Sequence, residues 1–441
     1  MAGPSTHIYE RPAEMLQHLI RFDTTNPPGR EAECIAYVDG LLRGAGQRTK
    51  LLARDPNRPN LITRLKGEGA APPLLLYGHL DVVTTAGQKW ICPPFEGMER
   101  DGYIWGRGAL DMKGGISMML SAFLRAKAEG LRPKGDMVFA ALSDEEMGGD
   151  YGAAYLVENH PEEFEAVRYA LGEFGGFPMH VGRQKYYLIQ VAERQICWMR
   201  LTVRGPGGHG ALPMRGGAMA KASAILEKLD RSRLPVHITP VPRAMIETMG
   251  ATLGPFKRAA LRALLRPALT DRILPLLDKG GRVLEPLLHN TVNATMIHAG
   301  EKANVIPSRV DLTLDGRILP GYGPEELFRE LRGLIGEEAE LEVIRYDPGP
   351  PAPDFGLFPL LDETLRYMDP DGVPLPLLLS GSSDARFFSR LGIQSYGFLP
   401  MDLPPGFDFV KLIHAENERI PVDALVFGAR ALYEVLRRYS G

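Results

Sequence analysis

A chain of 441 residues is longer than one hydrophobic core ordinarily serves, so two domains are the first expectation. Apolar residues make up 44% and charged residues 24%, with 51 Lys and Arg set against 54 Asp and Glu for a net charge of -3. That composition suits a soluble globular enzyme and lacks the basic excess of a nucleic-acid-binding surface, so no nucleic-acid partner is expected.

Cys34, Cys92 and Cys197 are too few and too far apart for a disulfide framework or a zinc knuckle. The stretch from Met1 to Gln17 has no apolar h-region, and no run approaches the ~18 consecutive apolar residues of a membrane span. These features predict a cytoplasmic protein in a reducing compartment, with no membrane partner.

In chain order, the first third alternates short apolar runs with helical patterns, which predicts an α/β layer fold. Leu74–Tyr77 and Met137–Leu142 read as buried strands. Between them, Ile116, Met119, Leu120, Phe123 and Leu124 recur at helical spacing, predicting a helix that opens after Asp111 and ends near Gly130. A new pattern begins near Gln195: a strand over Ile196–Arg204, the turn Gly205-Pro206-Gly207-Gly208, and a helix from Gly217 to Leu229. Strands over Asn293–His298 and Val310–Leu314, a helix over Pro324–Ile335 and a strand over Glu340–Tyr346 follow. This order predicts a ferredoxin-like α+β satellite inserted into the catalytic domain. The expected boundaries are 1–193 and 350–441 for the catalytic domain and 194–349 for the satellite, with the Pro-rich stretch Pro348–Pro353 as the return linker.

An insertion at about 237–291 interrupts the satellite. Within it, Lys257, Arg258, Arg262, Arg266 and Arg272 interleave with Leu and Ala. A basic amphipathic segment can lie on a membrane surface. Helices that cover the satellite are the expectation, because most amphipathic helices face a protein core.

The chemistry-bearing residues sit where strands end and loops begin, the usual place for α/β active sites. Gly78-His79-Leu80-Asp81 follows an apolar strand, and its two-residue spacing puts both side chains on one side of the extended chain. There His79 can offer a ring nitrogen to a metal while Asp81 accepts its other N–H. Gly106-Arg107-Gly108-Ala109-Leu110-Asp111 precedes a helix, where the carboxylate of Asp111 fits a helix cap as well as a ligand. Ser143-Asp144-Glu145-Glu146-Met147-Gly148-Gly149 brings three acids to a turn, and the adjacent Glu145 and Glu146 project in different directions.

Together with Trp90-x-x-Pro93-Pro94-Phe95, Gly207-Gly208-His209, Asn304-Val305-Ile306-Pro307, Asp315-x-Arg317, Ser382-Ser383-Asp384-Ala385 and His414-x-x-Asn417-Glu418, these motifs resemble the M20 metallopeptidases in order and over nearly the whole chain. That family includes aminoacylases, succinyl-diaminopimelate desuccinylase, acetylornithine deacetylase, carboxypeptidase G and dipeptidases. The resemblance implies a zinc exopeptidase-like catalytic domain, a mixed sheet with helices on both faces, and a satellite that serves dimerisation. It implies two divalent ions, bridged by Asp111, with His79 and Glu173 completing one site and Glu146 and His414 the other. Zinc suits the mixed N/O donor set, and cobalt or manganese can substitute. It further implies Glu145 as general base, Asp81 as the residue that orients His79, and a cis peptide between Asp111 and Met112.

On the satellite, His209 resembles a histidine that stabilises the tetrahedral oxyanion from the partner chain of a homodimer. Arg317 resembles an arginine that grips a substrate carboxylate, and Asn304 a polar substrate contact. Ser380-Gly381-Ser382-Ser383 departs from the Gly-rich run of many members, and the insertion resembles that of the larger carboxypeptidase S-like ones. The implied activity is hydrolysis of an amide or peptide bond in a dipeptide or N-acyl amino acid with a free carboxylate. The alternative is a non-catalytic binding or scaffold protein on the same fold.

Overall fold

Leu74–His79, Met137–Leu142, Tyr169–Gly172 and Gln394–Gly397 become parallel strands at the middle of one mixed sheet. The first three are buried along their whole length, as their unbroken apolar runs require of strands covered on both faces. In this computed structural model, residues 7–277, 279–350 and 352–441 are described. Among them the sheet has nine strands, ordered Thr49–Leu52, Asn60–Leu65, Met137–Leu142, Leu74–His79, Tyr169–Gly172, Gln394–Gly397, Gln184–Glu193 and Gly372–Leu379, with Pro178–Val181 paired to Gln184–Glu193.

The chain divides into two units, one of residue 7 to Val191, Asp354–Leu377 and Ser383–Gly441, the other of Ala192–Pro353 and Leu378–Ser382. In the first unit, one sheet face (Leu75, Tyr77, Val138, Ala140 and Leu142) packs on Leu156, Phe164, Phe387 and Phe388. The helix Lys113–Ala128 covers the opposite face, where Phe123 lies 5.9 Å from Phe139. The expectation of one apolar face for this helix is too narrow. Almost every residue from Lys113 to Ala126 is buried, because the C-terminal helix Val422–Arg438 packs on its other side. The approach is close at Gly428 of that helix, where a Cβ would lie 1.9 Å from Met118 Sδ.

The second unit is an antiparallel sheet in the order Thr291–Ala299, Arg309–Ile318, Gln195–Arg204, Glu340–Asp347. Numbered along the chain this is second, third, first, fourth, the ferredoxin-like arrangement. Cys197, Met199, Leu201 and Val203 alternate inward against the helices Ala218–Arg231 and Pro324–Ile335. The insertion forms the helices Pro240–Ala251, Pro255–Ala263, Pro267–Ile273 and Lys279–Leu288. Proline opens the first three, where its missing N–H is not needed.

Phe388 is fully buried, with its ring centroid 4.6 Å from that of Tyr77 and 5.2 Å from that of Phe164. Phe388→Ala is expected to destabilise the first unit by about 3–5 kcal/mol, read as a lowered urea midpoint for that unit's transition.

Candidate metal centre

The carboxyl ends of three parallel strands deliver His79, the Ser143–Glu146 turn and Glu173 to one edge of the sheet. A separate small sheet supplies the remaining two motifs. Arg419–Pro421 pairs antiparallel with Tyr103–Trp105, so the loop that follows Trp105 and carries Asp111 lies beside the loop that precedes Arg419 and carries His414. Of the six non-glycine residues with positive φ among the described residues, four are Asp144, Phe174, His414 and Asn417, at φ 70°, 62°, 60° and 64°. Each such position costs about 1–3 kcal/mol, and all four flank or form the site. The Asp111–Met112 peptide is cis.

Asp111 lies at the centre of the cluster. Its Oδ1 is 3.1 Å from His79 Nε2, and its Oδ2 is 3.1 Å from His414 Nε2. His79 Nε2 also lies 3.3 Å from Glu173 Oε2, and His414 Nε2 lies 3.1 Å from Glu146 Oε1. No side chain caps the helix that begins at Lys113, so the cap reading of Asp111 gives way to this contact with two imidazoles.

These donors fit cations. His79 Nδ1 is 2.9 Å from the backbone carbonyl of Asp81, which can only accept, so Nδ1 carries a proton and Nε2 is the ring atom turned toward the acids. Nε2 faces carboxylate oxygens of Asp111 and Glu173. Against the opposing effect of burial, hydrogen bonds to Asp111, Asp81 and Glu173 raise the imidazole well above its ordinary range, and a cation in place of the Nε2 proton would serve all three atoms. Two ligands about 2.0 Å from a tetrahedral ion are themselves about 3.3 Å apart, close to the separations here. Ligand atoms of His79, Glu145 and Glu173, and of His79, Asp111 and Glu146, also fall within 4.8 Å of one another. Glu145 thus lies close enough to ligate. The carboxylate of Glu146 meets His414 directly, whereas that of Glu145 accepts no hydrogen bond among the described residues.

The electrostatics express the same crowding. Burial, then the charge of Glu173, pushes the Glu145 carboxyl well above the ordinary carboxylate range, and burial raises Glu146 to about 7. Hydrogen bonds donated to Asp111 and Glu146 raise His414 to about 10. Asp384, from the Ser382–Ala385 motif, is buried with neither carboxylate oxygen hydrogen-bonded. Burial, opposed by Arg386 and reinforced by Glu173, raises it to about 8. Excess negative charge gathered among largely buried groups is what divalent cations neutralise.

Two buried carboxylates hold the loops that carry these donors. Asp81 accepts from the backbone amides of Glu145 and Glu146, each at 3.1 Å, and from Asn26 Nδ2 at 2.8 Å. Its carboxylate is 3.6 Å from His79 Nδ1, so the carbonyl of Asp81 orients the imidazole and its side chain orients the acidic turn. Asn26 also reaches Asp144 at 3.0 Å, and Arg58 joins Asp144 at 2.9 Å to Glu31 at 2.7 Å. Glu418 accepts from the amides of Gly108, Leu110 and Asp111 at 3.2, 2.7 and 3.2 Å and from Arg107 Nη1 at 2.6 Å. Arg107 Nη2 then reaches the carbonyl of His414 at 3.2 Å. Sequence reasoning gave none of Asn26, Glu31, Arg58, Arg107 or Glu418 a role, although Arg107 and Glu418 stand inside the motifs it used.

In the second unit, Gly208–His209 pairs with Val305–Ile306, which puts His209 beside Asn304. His209 is exposed, and its Nδ1 accepts from the Ala211 amide at 3.1 Å. Arg317 closes its fork on Asp315, with Nε and Nη2 at 2.8 and 3.1 Å from the two carboxylate oxygens.

Glu418→Gln keeps an acceptor for the Leu110 amide but removes the charge opposite Arg107. The expected result is metal affinity lowered about 10–100-fold with folded-state circular dichroism retained, although Glu418 meets only the backbone of Asp111 and none of the side-chain ligand atoms. Unchanged affinity in metal titrations would refute that positioning role.

The sequence profile of Peptidase family M20/M25/M40 matches residues 75–438, from the strand that carries His79 into the C-terminal helix. Probable carboxypeptidase S-like 2 of Dictyostelium discoideum is 28% identical over 82% of this chain and 71% of its own. The N-fatty-acyl-amino acid synthase/hydrolase PM20D1 of Homo sapiens is 27% identical over 86% of this chain and 76% of its own. In fold, the chain resembles the M20 family metallo-carboxypeptidase Sso-CP2 from Sulfolobus solfataricus at a TM-score of 0.68 and 17% identity, over 97% of this chain and 99% of that one. None of these likenesses favours the non-catalytic alternative. With the match running from the first histidine motif past the last, this chain belongs to peptidase family M20/M25/M40.

Proposed function

We propose that this chain is a dinuclear metallohydrolase that cleaves the amide bond of N-acyl amino acids, long-chain acyl groups included, and of small peptides with a free carboxylate. The observation that carries this reading is the Asp111 carboxylate set between two imidazoles, each of which has a second carboxylate of its own. The names of the relatives narrow the substrate class. His79, Asp111 and Glu173 would hold one ion, and Asp111, Glu146 and His414 the other, with zinc the natural occupant and cobalt or manganese able to replace it. When bound, the ions polarise the scissile carbonyl and lower the pKa of the attacking water.

The protein's own groups do the rest. Glu145 takes a proton from the attacking water and passes it to the leaving nitrogen, while Asp81 fixes its backbone through the amide at 3.1 Å. Asn304 and Arg317 contact the substrate. Because the Arg317 fork is closed on Asp315, its grip on a substrate carboxylate uses the remaining Nη1 or displaces Asp315. His209 donates to the oxyanion of the neighbouring protomer's substrate in a homodimer, for which its exposure on a short ribbon suits it. The three cysteines are all buried and unpaired, which supports a cytoplasmic setting.

A panel of N-acyl amino acids and dipeptides tests the activity. Turnover should vanish on chelation and return with zinc or cobalt. Glu145→Gln should keep its metal while kcat falls by about two to four decades, whereas Glu146→Gln should lose metal affinity as well. Full turnover by exhaustively demetallated protein would overturn the reading.

The homodimer makes a separate claim. His209→Ala and Glu145→Gln chains, each nearly inactive alone, should regain activity on mixing and subunit exchange, with about a quarter of sites intact by two-fold counting. Exchanged heterodimers, verified by sizing of tagged chains, that stay inactive would show that each chain completes its own site.

A further inference from the structure

The insertion in the satellite carries the two most exposed large hydrophobic side chains among the described residues, Phe256 at 90% and Leu276 at 81%. The helix Pro255–Ala263 buries none of its residues. Leu264 just beyond it is buried, and Arg258 ties it to the preceding helix by donating to the carbonyls of Gly250 at 2.9 Å and Ala251 at 3.0 Å. At 100° per residue, Phe256, Ala259 and Ala260 share the outward side, with Lys257 on one flank and Arg262 on the other. All five are exposed.

The charge on this segment is unbalanced. From Pro255 to Leu277 the basic residues are Lys257, Arg258, Arg262, Arg266 and Arg272, and the only acid is Asp271. Asp271 pairs with Arg233 and His289 instead. Lys257, Arg262, Arg266 and Arg272 have no ion pair among the described residues. A soluble surface gains nothing from a fully exposed phenylalanine among unpaired cations. An anionic bilayer rewards both, because the ring enters the acyl boundary while the cations meet the headgroups.

We propose that the helical insertion docks this protein on anionic lipid bilayers, with Phe256 and Leu276 inserted and Lys257, Arg262, Arg266 and Arg272 on the headgroups. This reverses the sequence-based preference for helices that merely cover the satellite, and the exposure of Phe256 is what reverses it. A protein partner is disfavoured, since isolated apolar side chains among cations lack the contiguous, charge-depleted centre of a protein interface. The proposal stands apart from the amide-hydrolase reading, because it is tested without substrate.

The full chain should co-sediment with vesicles of mixed phosphatidylglycerol and phosphatidylcholine, not with phosphatidylcholine alone, and high salt should weaken the binding. Each basic residue near such a surface is worth about fivefold in partitioning, so Lys257→Glu with Arg262→Glu should lower it at least about tenfold. Arg266→Glu with Arg272→Glu should do the same, and Phe256→Ser with Leu276→Ser should release the protein while its thermal melt is unchanged. Absence of wild-type binding, equal binding to neutral vesicles, or variants that bind like wild type would each overturn the proposal.

Discussion

Two imidazoles separated by one carboxylate set the terms for the rest of the catalytic unit. Asp111 places an oxygen 3.1 Å from each ring, and the carboxylates gathered there outnumber the two imidazoles that face them. The fold must therefore hold His79, a strand-end residue, and His414, from a loop late in the chain, against a common anion. It must also keep Glu145, Glu146, Glu173 and Asp384 nearby despite their mutual repulsion. The left-handed backbone at Asp144, Phe174, His414 and Asn417 is one cost of that convergence.

Holding the loops falls to carboxylates that are not donors to the cluster. Asp81 gathers the amides of the acidic turn, and Glu418 gathers three amides of the Asp111 loop together with Arg107. Each is fully buried, where an unpaired charge would be costly. Each accepts several hydrogen bonds, so the loops are tied by directional contacts rather than by packing alone. Arg107 adds a cross-link to the carbonyl of His414, which lets a single buried pair position donors from opposite ends of the unit.

Much of this was legible in the sequence, for reasons that differ by residue. Unbroken apolar runs announced Leu74–His79 and Met137–Leu142, and the order of strands and helices from Ile196 to Tyr346 announced the satellite. The helix Lys113–Ala128 was found but its burial was not, because its buried glycines, serines and alanines carry little hydrophobic signal. Among the site residues, the motif spacing brought His79, Asp81 and Asp111 into view. Spacing alone could not say that the carbonyl of Asp81, rather than its carboxylate, meets the His79 ring. Asn26, Glu31 and Arg58 stand singly in loops far from the donors in sequence, and only the folded chain reveals that they form one network.

The unit that carries this cluster is discontinuous in sequence, and that has a consequence for its biosynthesis. A ribosome completes Asp111, Glu146 and Glu173 long before it makes the central strand Gln394–Gly397, His414 or Glu418. At ordinary elongation rates the delay is on the order of tens of seconds, ample time for the satellite to fold alone. Throughout that interval the nascent catalytic half has an unfilled gap in its sheet and a crowd of acids lacking their last imidazole. The cluster of histidines and acids cannot be complete until His414 emerges. Chains released early by stop codons beyond the satellite should therefore be burdens on the cell's chaperones and proteases rather than partly active enzymes.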